Sequence, residues 1–481
     1  MTHVGSVSAT ATTETHYPSE VVERPEFSTV VEVAREVRAA GGRALVVGGW
    51  VRDRLLGLEN KDVDVEVFGL AAQELRTLLE TRGRVDAVGA SFGVFRLRGL
   101  DVDFSLPRRD RNLGPGHRAF EVVADPAMSV AEAARRRDFT INAMSFDPLT
   151  DEVVDPVGGE ADLRGRILRA VEPLTFGDDP LRAVRGAQFA ARFRLTPADD
   201  LLPILAAQDL AELAGERIFQ EWRKLLLRGV EPSRGVHLLR DAGLLRHFPE
   251  IDALQGVAQN PRWHPEGDVY VHTAMALDAA AGLRTGDDDE DLAFMFAVLC
   301  HDFGKPSTTT WTDGRLTSRG HEPAGEQPTR QFLGRMRAPR RLIERVVVLV
   351  LEHLAPMQLG GTDAGPAAYR RLARRIHPKK VSFGLLERTA RADTWGRTTE
   401  DARRRRFPAG DRFLASARAA GIPPVGAPDV VLGRHLIARG FSPGRSFRRI
   451  LAACREHQDA TGARDPDEIL DAVLPLLGAA P

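Results

Sequence analysis

Gly48-Gly-Trp-Val-Arg-Asp53, followed after eight residues by Asp62-Val-Asp64, decides how the N-terminal part of this 481-residue chain is read. The apolar run 43–47 in front of it predicts a strand that enters the Gly-Gly turn, and residues 49–56 predict a helix. Gly48 and Gly49 let backbone amides approach a phosphate at a helix start, and Arg52 adds a cation there. On an extended strand over 62–68, Asp62 and Asp64 project from one face and can share a hard cation such as Mg²⁺ with substrate phosphates. Asp103, in Asp101-Val-Asp-Phe104, is the candidate third carboxylate of a two-metal site. A lone acidic pair also fits a solvated strand edge, and Gly-Gly an ordinary turn. Their concentration within seventeen residues favours phosphate and metal chemistry.

Working outward, residues 27–40 carry helical periodicity, and 92–97 and 100–106 read as further strands, giving a small mixed α/β domain. Turn residues cluster at Asp155-Pro-Val-Gly-Gly159, and beyond Ile167 the pattern is mainly helical. An acidic loop is expected at 287–291, and basic segments at 369–380 and 403–406. With 66 basic and 67 acidic residues the formal charge is −1, so any nucleic-acid contact must come from local patches. A solvated face explains such segments equally well. No apolar run reaches the length of a membrane span, and residues 1–25 lack a secretory pattern and read as a disordered tail. Cys300 and Cys454 form no metal-type pair, which suits a reducing, cytoplasmic setting.

The stretch Gly48-Gly-Trp-Val-Arg-Asp-Arg-Leu-Leu-Gly57 with Lys61-Asp-Val-Asp64 resembles the head-domain signature of class II tRNA nucleotidyltransferases, the CCA-adding enzymes, and related bacterial poly(A) polymerases. Arg136-Arg-Asp-Phe-Thr-Ile-Asn-Ala143 is similar to that family's second motif, and Asp178-Asp-Pro-Leu-Arg-Ala-Val-Arg185 to its nucleotide-selecting motif. The resemblance implies a multidomain α+β protein with a polymerase-beta-like mixed α/β head and then all-α parts. The expected division is a tail over 1–26, head over 27–160, helical neck over 161–250, HD domain over 251–400 and helical tail over 401–481. It further implies Mg²⁺ on Asp62 and Asp64, with tRNA, CTP and ATP as partners and neither DNA nor a membrane.

Asp179 and Arg182, three apart, would share one face if both lay on a helix. Cytosine and adenine each offer an amino donor beside a ring-nitrogen acceptor, which a carboxylate and an arginine match. A surface salt bridge is the plain alternative. In the family, this Asp and first Arg read the base. Arg185 matches a further nucleotide contact, Arg137 contacts the nucleotide, and Asp138 and Asn142 shape the site. Gln188 stands where the family pattern has arginine. The stretch 105–120, with Asp110-Arg111, resembles the loop of relatives that complete the terminal A.

Farther on, His272, His321, His353 and Asp393 accompany the His301-Asp302 doublet. Their scattered spacing alone leaves ordinary surface residues open. Val271-His-Thr273, His301-Asp-Phe-Gly-Lys305 and Arg391-Ala-Asp393 resemble the HD phosphohydrolase pattern, as do His264-Pro-Glu-Gly267 and Gly320-His-Glu322. The resemblance implies His272, His301, Asp302 and Asp393 as ligands of a second divalent metal of unspecified identity. It also leaves open an A-adding enzyme, a poly(A) polymerase, or an HD phosphohydrolase whose head only binds RNA.

Overall fold

The computed structural model describes residues 25–60, 62–87, 93–112, 120–422 and 428–479. The expected tail over 1–26 lies outside these residues except for its last two, which begin the first helix.

In chain order the first elements are α1 (Pro25–Ala39), β1 (Arg43–Val47), α2 (Gly49–Leu55), β2 (Val63–Phe68), α3 (Ala72–Glu80), β3 (Val85–Ala87), β4 (Val94–Leu97) and β5 (Val102–Ser105). There follow β6 (Arg108–Asn112), β7 (Phe120–Ala124), α4 (Val130–Arg135), β8 (Ser145–Asp147), β9 (Glu152–Val154), α5 (Gly159–Arg164) and β10 (Ile167–Leu168). Seven strands form one sheet in the order β3-β4-β5-β2-β1-β8-β9. Only β2 and β5 pair in parallel, and that pairing sets the register of the acidic residues. Val63, Val65 and Val67 of β2 are buried, so the alternating acids of that strand face the other side. Phe27 stacks on Trp50 at 5.3 Å, tying α1 to the start of α2.

The expected loop over 105–120 is in part a hairpin: β6 and β7 pair antiparallel from Arg108↔Ala124 to Asn112↔Phe120. Its β-branched Val122-Val123 favours pairing over a free loop. Residues 113–119 lie outside the described residues.

The chain divides into two compact units, one of residues 1–179 with 196–204, the other of 180–195 with 205–481. The next elements are α6 (Leu181–Phe193) and β11 (Thr196–Pro197), and β11 pairs with β10, which draws 196–204 back into the first unit. In the second unit, α6 packs on the helices Gly215–Arg228 and Pro232–Asp241. Its centre is the helix Asp288–Cys300, buried from Asp291 to Cys300. The expected acidic loop is the beginning of this helix. Asp287 accepts from the amides of Asp289 and Glu290, and the acids behind it complement the positive helix end. A short hairpin, β12 (Thr310–Thr312) and β13 (Arg315–Thr317), interrupts the helical pattern. Among the described residues no helix is long and apolar enough to cross a membrane.

Candidate active site

In the first unit, β1 ends at Gly48, whose φ of 74° and ψ of −135° suit glycine and turn the chain into α2. Val47 pairs with Asp64, so the Gly-Gly turn and the acidic pair meet at one end of the sheet. Asp64 pairs in turn with Asp103 on β5, and paired residues share a face. Asp62, exposed just ahead of β2, completes three carboxylates. Loss of hydration raises the Asp64 carboxyl above its ordinary range even though the residue keeps an exposed edge. The positive Arg137 opposes this, while the negative Asp103 and Asp62 add to it. Asp64 is thus a carboxylate whose charge a bound cation would offset.

Three cations surround these acids in different ways. Arg96, opposite Asp103 on β4, grips it through Nε at 2.6 Å and Nη2 at 2.7 Å. Arg137 follows α4 and contacts Glu66, two residues beyond Asp64 on the same strand face, at 3.4 Å. Arg52 is only 3% exposed. Its guanidinium donates to Asp53 Oδ1 at 2.8 and 2.7 Å and to Asn142 Oδ1 at 2.5 Å. The cation expected to meet phosphate therefore sits inside the fold, where it braces the turn. Asn142 continues this network to Asp138 at 3.1 Å. On the other side Asn60 donates to Asp53 Oδ2 at 2.9 Å and accepts from the Asp62 amide at 3.0 Å. One chain of hydrogen bonds thus runs from the Arg-Asp pair to the backbone of the first acid.

The expectation that Asp179 and Arg182 share a helix face is not met, because Asp179 precedes α6 in extended backbone (φ −135°, ψ 95°). Pro180 favours an extended residue before it. Arg182 and Arg185 lie one turn apart on the half-buried face of α6. Gln188 is buried in the same helix.

In the second unit the histidines converge. Asp268 caps the helix Val269–Ala281 by accepting from the Val271 amide at 2.8 Å, which places His272 in the first turns. The buried helix Asp288–Cys300 ends at His301 and Asp302, and Asp393 comes from the helix Phe383–Trp395, capped by Ser382. His272 Nε2 lies 3.1 Å from Asp393 Oδ1 and 3.3 Å from His301 Nε2. His301 Nε2 lies 3.1 Å from Asp302 Oδ2. All four expected ligands meet in one buried cluster. Burial alone would raise the Asp302 carboxyl, but His301 and Lys305 hold it well below its usual range. Arg397 does the same for Asp393.

Several participants were not singled out by the sequence. Glu266 accepts from His272 Nδ1 at 2.8 Å and from His264 Nδ1 at 2.9 Å, fixing the tautomer of His272. Lys305 Nζ stands 2.7 Å from Asp302 Oδ2, and Arg397 Nη2 2.9 Å from Asp393 Oδ1. The signal for Glu266 was present in His264-Pro-Glu266, and that for Glu66 in the continued alternation Asp62-x-Asp64-x-Glu66. Arg96 reaches Asp103 through strand register, which residue spacing does not encode.

Residues 44–169 match the model described as the poly A polymerase head domain, and 205–255 that of the probable RNA and SrmB-binding site of polymerase A. A multifunctional CCA protein of Xylella fastidiosa (strain 9a5c) is 37% identical over 322 residues, covering 65% of this chain and 74% of that protein. The chain belongs to the CCA-adding enzyme family. Another such protein, from Halorhodospira halophila (strain DSM 244 / SL1), is 39% identical over 64% of this chain and 72% of its own length. The Bacillus stearothermophilus CCA-adding enzyme in complex with CTP shares the fold with a TM-score of 0.65 at 20% identity, covering 95% of this chain and 98% of that one. The Thermotoga maritima CCA-adding enzyme complexed with tRNA gives 0.57 at 19% identity, over 95% and 97% of the two chains. In this CCA-adding family member the three head carboxylates lie together in the first unit, and the histidine cluster forms within the second.

The basic segment expected over 369–380 is largely committed within its own unit. Arg374 pairs with Asp459 and Asp429, Arg375 with Glu352 and Lys379 with Glu344. These ion pairs within the unit fit the charged-face reading better than a free phosphate surface. Arg403 to Arg406 remain exposed.

Proposed function

We propose that this chain adds C and A nucleotides to the 3′ end of tRNA without a template, using CTP and ATP and releasing pyrophosphate. The observation that carries the catalytic assignment is the register placing Asp103 beside Asp64 at the sheet end where the Gly48-Gly49 turn lies. Divalent metal bound there, with Mg²⁺ as the assigned ion, supplies the charge that activates the RNA 3′-hydroxyl and neutralises the triphosphate. Asp62 and Asp64 hold it, and Asp103 completes the acidic face. The Gly48-Gly49 turn admits the triphosphate to backbone amides. Arg137, half-exposed beside Glu66, is the nucleotide contact, while Arg52 positions the turn from within. The base is chosen by the carried-over pair Asp179 and Arg182, with Arg185 on the nucleotide. Uracil and guanine would present a donor to Arg182 and an acceptor to Asp179, leaving unpaired polar groups worth about 1–3 kcal/mol each.

The test supplies tRNA lacking its 3′ end with CTP, ATP or both, and sequences the products. CC followed by one A is expected. A added only to a CC end would assign a split system, and long A tails poly(A) synthesis. Absence of incorporation with every nucleotide would overturn the assignment.

A second activity is favoured by the buried His272, His301, Asp302 and Asp393 cluster: metal-dependent hydrolysis of phosphoesters, including 2′,3′-cyclic phosphodiesters. Nitrogen and carboxylate donors of this kind suit a borderline transition metal rather than Mg²⁺. Lys305 and Arg397 add positive charge at its edge for a phosphate group.

A further inference from the structure

Strand register lays a row of charge across the head sheet. Asp86 of β3 lies opposite Arg96 of β4, Arg96 opposite Asp103 of β5, and Asp103 opposite Asp64 of β2. Arg96 therefore stands between two aspartates. Arg98, just beyond β4, takes the Asp86 carboxylate at 3.2 and 3.3 Å. Arg96 turns to the other neighbour, with Nε donating to Asp103 Oδ1 at 2.6 Å and Nη2 to Oδ2 at 2.7 Å.

Two parallel bonds from one guanidinium to both oxygens are the strong, planar form of an arginine–carboxylate pair. They fix the plane of the third carboxylate beside Asp64. An ion that reaches Asp103 must share an oxygen with the guanidinium or displace it, and it meets an acid whose charge is already offset. The Arg96 and Asp103 side chains are 46% and 30% exposed, so ions reach the pair. Exposure of that degree also makes the pair a minor contributor to folding. Its place in the row, next to the acid that Asp64 faces, gives it a role that stability does not.

We propose that Arg96 is a positioning residue of the head site: it holds the Asp103 carboxylate in one orientation and weakens the affinity of the acidic face for a free divalent ion. The triphosphate, itself a ligand of such an ion, then supplies the affinity that the guanidinium withholds. This rests on the reading of Asp62, Asp64 and Asp103 as the metal-binding face of a nucleotidyltransferase.

The test titrates metal-stripped full-length protein with Mn²⁺ in the absence of nucleotide and reads free Mn²⁺ by electron paramagnetic resonance. The binding that Asp64→Asn removes is the head's, which separates it from any ion on the histidine cluster. Arg96→Met, which removes the charge at similar length, is expected to tighten that binding by about 3- to 10-fold, and Arg96→Lys, which keeps the charge, to change it by less than about 2-fold. With CTP and tRNA lacking its 3′ end, at saturating metal, kcat should fall about 10-fold in both variants, because neither restores the two-bond grip. Melting temperatures close to that of the unaltered chain would verify that both variants fold. Unchanged Mn²⁺ affinity in Arg96→Met, or unchanged kcat in both variants, overturns the proposal and leaves an ordinary surface ion pair. If Asp64→Asn removes no Mn²⁺ at all, the metal-binding reading of the head falls with it.

Discussion

Asp64 combines functional placement with electrostatic cost. Loss of hydration and the neighbouring Asp103 and Asp62 charges work against its ionised form. Asp64→Asn is expected to lower nucleotide incorporation by about 100-fold or more, since a transition-state charge partner is lost. In chelator, however, its melting temperature should equal or exceed that of the unaltered chain, because a mutual repulsion is relieved. A large drop in melting temperature would instead make Asp64 a structural residue. Asp53 is its converse: 1% exposed, it receives two bonds from Arg52 and one from Asn60. Asp53→Ala should cost about 3–5 kcal/mol in denaturant unfolding by leaving the buried guanidinium of Arg52 without this carboxylate. A loss below about 1 kcal/mol would mean that the partners Arg52 keeps, Asn142 among them, satisfy it.

At the scale of elements, legibility followed how local the causes were. β1 was readable because an apolar run ends in Gly-Gly, and the acids of β2 because a strand alternates. The short β3, β8 and β9 were missed, being three-residue segments with no room for a periodic signal. The acidic run 287–291 was misread as a loop because a capping aspartate and a first turn of acids resemble one in composition. Asp179 was placed on a helix by spacing, whereas Pro180 sets its extended backbone. The convergence of residues 272, 301, 302 and 393 was signalled by motif likeness alone, since their distances depend on how helices pack. Within α6, Gln188 is buried, and its Oε1 has no hydrogen-bond donor among the described residues. Gln188→Met should therefore change unfolding free energy by no more than about 1 kcal/mol. A larger loss would show that the carboxamide is satisfied by a group that packing alone does not reveal.

At the scale of the whole molecule, the head acids and the histidine cluster belong to different units and share no residue. Asp62→Ala should abolish nucleotide addition and retain hydrolysis of a 2′,3′-cyclic phosphate, and Asp302→Ala should do the reverse. Loss of both activities from either substitution, in protein that still melts cooperatively, would refute two independent sites. The thiols offer a check on integrity. Cys300 and Cys454 are buried, and burial raises both above the ordinary thiol range. Folded protein should react with a thiol reagent far more slowly than unfolded protein, which should titrate both. Rapid modification of the native chain would indicate that one of the two cores opens readily.

The pairing of β10 with β11 has a practical corollary. Because 196–204 rejoins the first unit after α6 has entered the second, the polypeptide crosses the boundary three times. A gene fragment ending at codon 179 would yield a head stripped of its returning strand, with β10 left unpaired. Swapping either unit between homologues by one splice would transplant an incomplete piece. Recombination that preserves folding must exchange the interval from 180 to 195 separately from the sequence on either side, so the two units are inherited as a package.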